Sequence, residues 1–327
     1  MIVKPENMNF DSKKFVGIIY GAPGTGKTTL GLSAPNPILF DFDKGISRVK
    51  AHHRKDTIFC DKYEDVLQDL PDIGDYETVV LDTGGSFITY LQDWAMRQNP
   101  VNKQKNGALS QKGFGAVKQE FKRFSDMIRI TMNKNLIYIF HSEEKADKDG
   151  NPIQRLLCEG SAKNIVWQYC DFGGYVQMIN GKRTISFTPT DEYFAKSSAG
   201  IGGQREVPDK APSEKNDFMT KLFEEAKANM EAENETFAPL HEAYQKAMEE
   251  ATKIILSIET VEQANEAVKA IPALDHALTS KKEASALLND RAKELGFTWD
   301  KTSKSYIDNS KKEETASAPE QKEEASE

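Results

Sequence analysis

The chain has 327 residues, of which 29 % are charged and 38 % hydrophobic, and a net charge of −8. This suits one α/β domain of about 200 residues with a smaller appendage, and no run reaches the roughly 18 apolar residues of a membrane span. The start Met1-Ile-Val-Lys-Pro-Glu-Asn7 is too polar for a signal peptide, so a cytoplasmic protein with Cys60, Cys158 and Cys170 reduced is expected.

In chain order, Phe15–Tyr20, Ile38–Phe42, Thr57–Cys60, Thr78–Leu81 and Leu136–Phe140 are short apolar runs that read as strands buried on both faces. Tyr63–Leu70, Phe87–Gln98 and Val117–Asn133 read as helices between them. In the last, Val117, Phe121, Phe124, Ile128 and Met132 share one face. Such alternation implies a mainly parallel sheet flanked by helices. Gly173–Ile179 and Arg183–Thr188 add two strands joined at Asn180-Gly181, a hairpin signal.

Beyond Ser197 the composition turns to glycine and proline, and then to helical patterns over about 214–232, 238–257, 260–270 and 280–295, closing in a small hairpin near 296–306. The expected division is a core over 1–205, a linker over 206–213, an all-α module over 214–308 and a disordered tail over 309–327. Residues 1–210 hold 28 Lys and Arg against 26 Asp and Glu, whereas 211–327 hold 15 against 25. The acidity therefore sits in the C-terminal third, and it does not argue against nucleic acid at the core.

The strongest motif is Gly21-Ala22-Pro23-Gly24-Thr25-Gly26-Lys27-Thr28, set between the strand Phe15–Tyr20 and the helix start at Thr29. Glycines there let backbone N–H groups curl around a β-phosphate, and a helix N-terminus adds partial positive charge. Lys27 would sit between β- and γ-phosphates, and the Thr28 hydroxyl would ligate Mg2+. Asp82, ending the strand Thr78–Leu81, reads as a second magnesium partner acting through water, or else as a cap for the following helix.

Asp41 and Asp43 end the second strand on one face and would point at the phosphates. Asp43 lies further out and is the better candidate for handling the attacking water, while Asp41 could instead bond internally. His141 ends the strand Leu136–Phe140, as a phosphate sensor or a surface histidine. Residues 99–115 hold Lys103, Lys105, Lys112 and Phe114 with no carboxylate, which suits phosphates and base stacking but equally a solvated loop. Residues 142–165 offer Lys145, Lys148, Arg155 and Lys163 diluted by five acids. Trp167 and Tyr169 just after this stretch could face DNA, but they read better as core.

The order of these features resembles the RecA-like P-loop NTPase core, and more narrowly the short phage-encoded RecA-like proteins linked to single-strand annealing and recombination. The resemblance covers residues 15–200. It implies ATP and Mg2+ as ligands, Asp43 as the catalytic acid, Asp82 as the Walker B aspartate and His141 in the place of a γ-phosphate-sensing residue. It also implies that Lys196 reaches a neighbouring subunit's nucleotide. Segments 99–115 and 142–165 would be DNA-binding loops, contacting single-stranded DNA through Lys103, Lys105, Lys112, Phe114, Arg155 and Lys163. Asp43 stands where bacterial recombinases carry Glu, and the helical C-terminal module has no counterpart in that core.

On this reading the protein is a DNA-dependent ATPase that self-associates as a ring or filament, with no membrane partner, in the host cytoplasm if phage-encoded. Its C-terminal region would meet a single-strand-binding or replication protein. The alternative is a nucleotide-switched protein-binding module of a replication or packaging assembly. A small-molecule kinase is disfavoured, because the core has eight scattered arginines and no Arg-rich lid.

Overall fold

The computed structural model describes residues 8–158 and 162–308, with side chains of the second stretch described from residue 165. The tail 309–327 and the Lys163 side chain lie outside the described residues. The described residues divide into two compact units: Asn9–Glu231, and residues 232–308 with Met8.

In the first unit, β1 (Val16–Gly21), β2 (Pro37–Asp41), β3 (Thr57–Phe59), β4 (Thr78–Asp82), β5 (Asn135–Ala146) and β7 (Phe172–Ile179) form a parallel sheet in the order β3-β2-β4-β5-β1-β7. β8 (Lys182–Ser186) and β9 (Gln204–Glu206) extend it antiparallel beyond β7. Asn180 and Gly181 turn between β7 and β8 with φ of 50° and 76°, the left-handed pair that a two-residue hairpin needs.

β1, β2 and β4 are buried at every residue, as their unbroken apolar runs predict. Alternation splits them between two cores. Ile18, Tyr20, Phe40, Leu81 and Tyr138 face a cluster with α2 (Tyr63–Asp69), α3 (Gly84–Gln98) and α4 (Gln111–Asp126), which includes Tyr63, Phe87, Phe121 and Phe124. Ile19, Leu39, Val80, Ile137 and Ile139 face the other way, onto Leu30 of α1 (Lys27–Gly31) and onto Met219, Leu222, Phe223 and Ala226 of α6 (Phe218–Leu256). A helix, α5 (Ala162–Tyr169), precedes β7, and Trp167 packs edge-on to Tyr20.

The segment expected as a linker is built into this unit. Val207 is buried and donates its N–H to the Arg183 carbonyl at 2.8 Å, and Asp209 pairs with Lys50 at 2.7 Å. α6 runs unbroken through the gap left between the two expected helices, with Pro239 inside it.

Residues 142–156 are a β-hairpin rather than a loop. β5 continues to Ala146, and β6 (Pro152–Leu156) pairs back on it with Glu143 opposite Arg155. Asp147 closes the turn by accepting the N–H groups of Asp149 and Asn151, each at 2.8 Å. The segment 99–115 is also more ordered than a loop. The Ser110 hydroxyl caps α4 by accepting the Gly113 N–H at 3.1 Å, so Phe114 lies in the first helical turn.

The second unit packs the end of α6 (Ala251, Ile255) with α7 (Val261–Ala270) and α8 (Ser280–Glu294) around Ala264, Ile271, Ala284 and Leu288. The expected terminal hairpin is present as β10 (Phe297–Asp300) and β11 (Ser305–Asp308), so this module is not wholly α.

Candidate nucleotide site

Because β5 lies between β1 and β4, three strand ends meet at one edge. Gly21 of β1 stands opposite His141 of β5 on one side and Val176 of β7 on the other, and Asp82 ends β4 beyond β5. A Cβ at Gly21 would lie 2.3 Å from the Val176 carbonyl oxygen, so the first glycine of the motif is set by strand packing. Gly24 and Gly26 hold φ of 78° and 77°, which turns the loop's N–H groups inward. α1 is only five residues long, so few peptide dipoles align there and the loop amides and Lys27 carry most of the positive field.

The loop residues converge as the motif requires. The Thr28 hydroxyl donates to Asp82 Oδ2 at 2.5 Å. Lys27 is buried, with Nζ on the Ala22 carbonyl at 2.8 Å, and the Thr25 hydroxyl bonds the same oxygen at 2.8 Å. Burial draws the Lys27 ammonium down to about 8, while the Asp82 and Asp43 charges pull it upward. Asp82 moves the opposite way: burial raises its pKa, and the carboxylates of Asp43 and Asp41 add to the rise. A buried carboxylate beside two others is a place where a cation is favourable. Thr28 and Asp82 are the residues that would hold a Mg2+ ion here, which would neutralise charge on the phosphates of a bound nucleotide. Among the described residues no group of three or more His, Cys, Asp or Glu converges on a metal.

Asp41 and Asp43 part company. Asp41 is fully buried and accepts the N–H groups of Gly45 and Ile46, each at 2.8 Å, so it closes the turn after β2 and does not face the phosphates. Asp43 reaches the site. Its Oδ1 accepts the Ser86 hydroxyl and, at 3.3 Å, the Thr83 hydroxyl, and its Oδ2 stands 3.6 Å from His141 Nε2. His141, then Ser86, hold Asp43 below the usual carboxylate range against the effect of burial. Such a carboxylate is a weak proton acceptor but a strong orienter of water. His141 Nδ1 is buried without a hydrogen-bond partner. A cleft of about 240 Å³ opens here between Thr83, Ser86, His141 and Leu157. A cavity of about 1010 Å³ lies at the other edge, among residues at or before the strand starts such as Lys14, Pro35, Asp56 and Asn135, away from the phosphate loop.

Ser86 was not expected. Thr83, not Asp82, caps α3, accepting the Ser86 N–H at 3.3 Å, and this turn delivers the Ser86 hydroxyl to Asp43. Ser86→Ala should slow hydrolysis by roughly 3–10-fold, the worth of one hydrogen bond, with nucleotide affinity unchanged. Paired phosphate-release and titration measurements check this.

Residues 13–199 match the family model of the AAA domain. The chain belongs to this family. The AAA domain is an ATPase core, and its match spans the phosphate loop, Asp43, Asp82 and His141. No curated protein matches the chain. Within the AAA domain, Lys27, Thr28, Asp43, Asp82 and His141 come together, and Gly21 to Gly26 form the cradle. Thr29 follows in α1, where its carbonyl accepts the Asn216 amide at 2.9 Å. Lys196 is not brought to its own loop, since Nζ bonds the Trp167 carbonyl at 3.3 Å. Lys103, Lys105, Lys112 and Phe114 are exposed, and among the described residues none of the three lysines pairs with a carboxylate. Arg155 lies on β6, half-buried, donating to the Gln154 carbonyl at 3.0 Å. No helix of the described residues is long and apolar enough to cross a membrane.

Proposed function

We propose that this AAA-domain ATPase is RecA-like: it binds ATP with Mg2+, binds single-stranded DNA in a nucleotide-dependent way, and promotes annealing or strand pairing within an oligomer. The observation that carries the DNA reading is the exposed set Lys103, Lys105, Lys112 and Phe114, on a carboxylate-free stretch that runs from the end of α3 into the first turn of α4. Lysines meet phosphates and an exposed ring stacks on a base, which together suit a single strand. His141, beside Asp43 and at the root of the β5–β6 hairpin, would pass the state of the γ-phosphate to that hairpin. Lys196, directed away from its own loop, would serve a neighbour's nucleotide.

ATP hydrolysis measured with and without a single-stranded oligonucleotide tests the reading. Stimulation is expected, and an oligonucleotide that neither stimulates nor binds nucleotide-loaded protein defeats it. Replacing Lys103, Lys105 and Lys112 together with alanine should weaken DNA binding and flatten its salt dependence by about one unit of log–log slope per lost phosphate contact. A fluorescence anisotropy series in salt checks the slope.

The second reading is a nucleotide-switched protein-binding module. It is favoured by a groove of about 330 Å³ in the C-terminal unit, lined by Val268, Ile271, Leu288, Trp299 and Tyr306, with Trp299 42 % exposed. Capture of a replication or packaging component by the wild-type chain but not by Trp299→Ala, with DNA having no effect on hydrolysis, would favour it.

A further inference from the structure

The β8 strand brings a residue to the phosphate loop that the motif does not contain. Arg183 leans over Gly26: a Cβ at that glycine would lie 2.6 Å from Arg183 Cζ and 2.8 Å from its Nε. The Nε–H is buried without a hydrogen-bond partner, and among the described residues the guanidinium has neither a hydrogen bond nor an ion pair. Asp209 lies close enough to feel its charge, but that carboxylate is engaged by Lys50 at 2.7 Å. A guanidinium held against a phosphate loop with unused donors is matched to an anion.

The sheet order says which part of the nucleotide it meets. Asp82, Asp43 and His141 stand at the ends of β4, β2 and β5, all on one flank of β1. The γ-phosphate, which must face the water-orienting acid, therefore points to that flank. β7 and β8 occupy the other flank, toward which the α-phosphate and nucleoside would then extend. We propose that Arg183 is a nucleotide-binding residue that grips the α- and β-phosphates shared by ATP and ADP. The assignment rests on Gly21–Thr28 being the nucleotide site. Gly26 then has two constraints, its left-handed backbone and the need to leave room for this side chain.

The test is calorimetric titration of the full chain with MgATP and with MgADP, for wild type, Arg183→Ala, Arg183→Met and Lys27→Ala, with thermal unfolding as the folding control. Arg183→Met keeps the stem packed on Gly26 and removes the charge, so it separates ion contact from packing. Both Arg183 variants should bind ATP and ADP more weakly by the same factor, about 10–100-fold, with Arg183→Lys recovering part of the loss. Wild-type affinity in Arg183→Met would reduce Arg183 to packing and overturn the proposal. Weakened ATP with unchanged ADP would place Arg183 at the γ-phosphate and overturn it as well. Should Arg183→Ala fail to fold, the Met and Lys variants carry the comparison. Wild-type protein that binds neither nucleotide would instead overturn the loop as the site.

Discussion

Replacing Lys27 with alanine should reduce ATP hydrolysis to background and weaken nucleotide binding by about tenfold or more. The side chain is 5 % exposed, and its ammonium is held between the Ala22 carbonyl and the attraction of Asp82 and Asp43. A charge kept in so dry a place costs desolvation energy, and its partners within the protein only partly offset that cost. Nucleotide phosphates would complete the compensation, and part of the nucleotide affinity would then come from the cost of holding Lys27 buried. Truncation removes both the cation and the cost, and thermal stability should be unchanged or higher while activity is lost. Phosphate release, nucleotide titration and an unfolding curve on one preparation check the three parts. Hydrolysis at the wild-type rate would mean that the chemistry lies elsewhere.

Asp43→Asn should separate binding from chemistry. The carboxylate touches Ser86, Thr83 and His141 rather than the cradle itself, so an amide of the same shape leaves Gly21–Thr28 in place. What disappears is the negative charge that, in the proposed mechanism, would face the attacking water. A loss of about 10²–10⁴ in kcat is expected, with Kd for ATP within about threefold of wild type. Single-turnover hydrolysis with a parallel titration measures both. Because Asp43 is held below the usual carboxylate range, the wild-type rate should not depend on deprotonating it near neutral pH, as an orienting group would behave.

The parts of this molecule that could be read from residue order are those whose cause is local. β1, β2 and β4 are buried on both faces, and such strands must be unbroken apolar runs. The phosphate loop is legible because its glycines and Lys27 are fixed by spacing. The face running along α4 and the turn after it was legible: Val117, Phe121, Phe124 and Ile128 are buried and Met132 partly so. Its beginning was not, because Gly113 and Gly115 look like breakers. Gly113 is there because a Cβ would meet the Asn102 carbonyl at 2.6 Å, a contact between residues eleven apart. The β5–β6 hairpin hid in a charged stretch because its turn is closed by the side chain of Asp147 instead of an apolar pattern.

The site divides in the same way. Asp43 and Asp41 looked alike in the chain, two residues apart on one strand end, and only the backbone that turns back onto Asp41 tells them apart. Ser86 and Arg183 arrive through a helix cap and a distant strand, so no motif announces them.

The capped helix α3 has a mechanical meaning. Its first turn is tied to Asp43 through Ser86, and near its last turn the Ala95 carbonyl holds the Asn102 amide at 2.8 Å, at the root of the lysine-bearing segment. Fifteen residues of helix make a stiff rod of about 22 Å. A tilt of about 5° at the Asp43 end would sweep the far end through about 2 Å. If the nucleotide-dependent DNA binding proposed above holds, the hydroxyl contact at one end would act as a pivot and α3 as a lever arm with its output at Lys103 and Phe114.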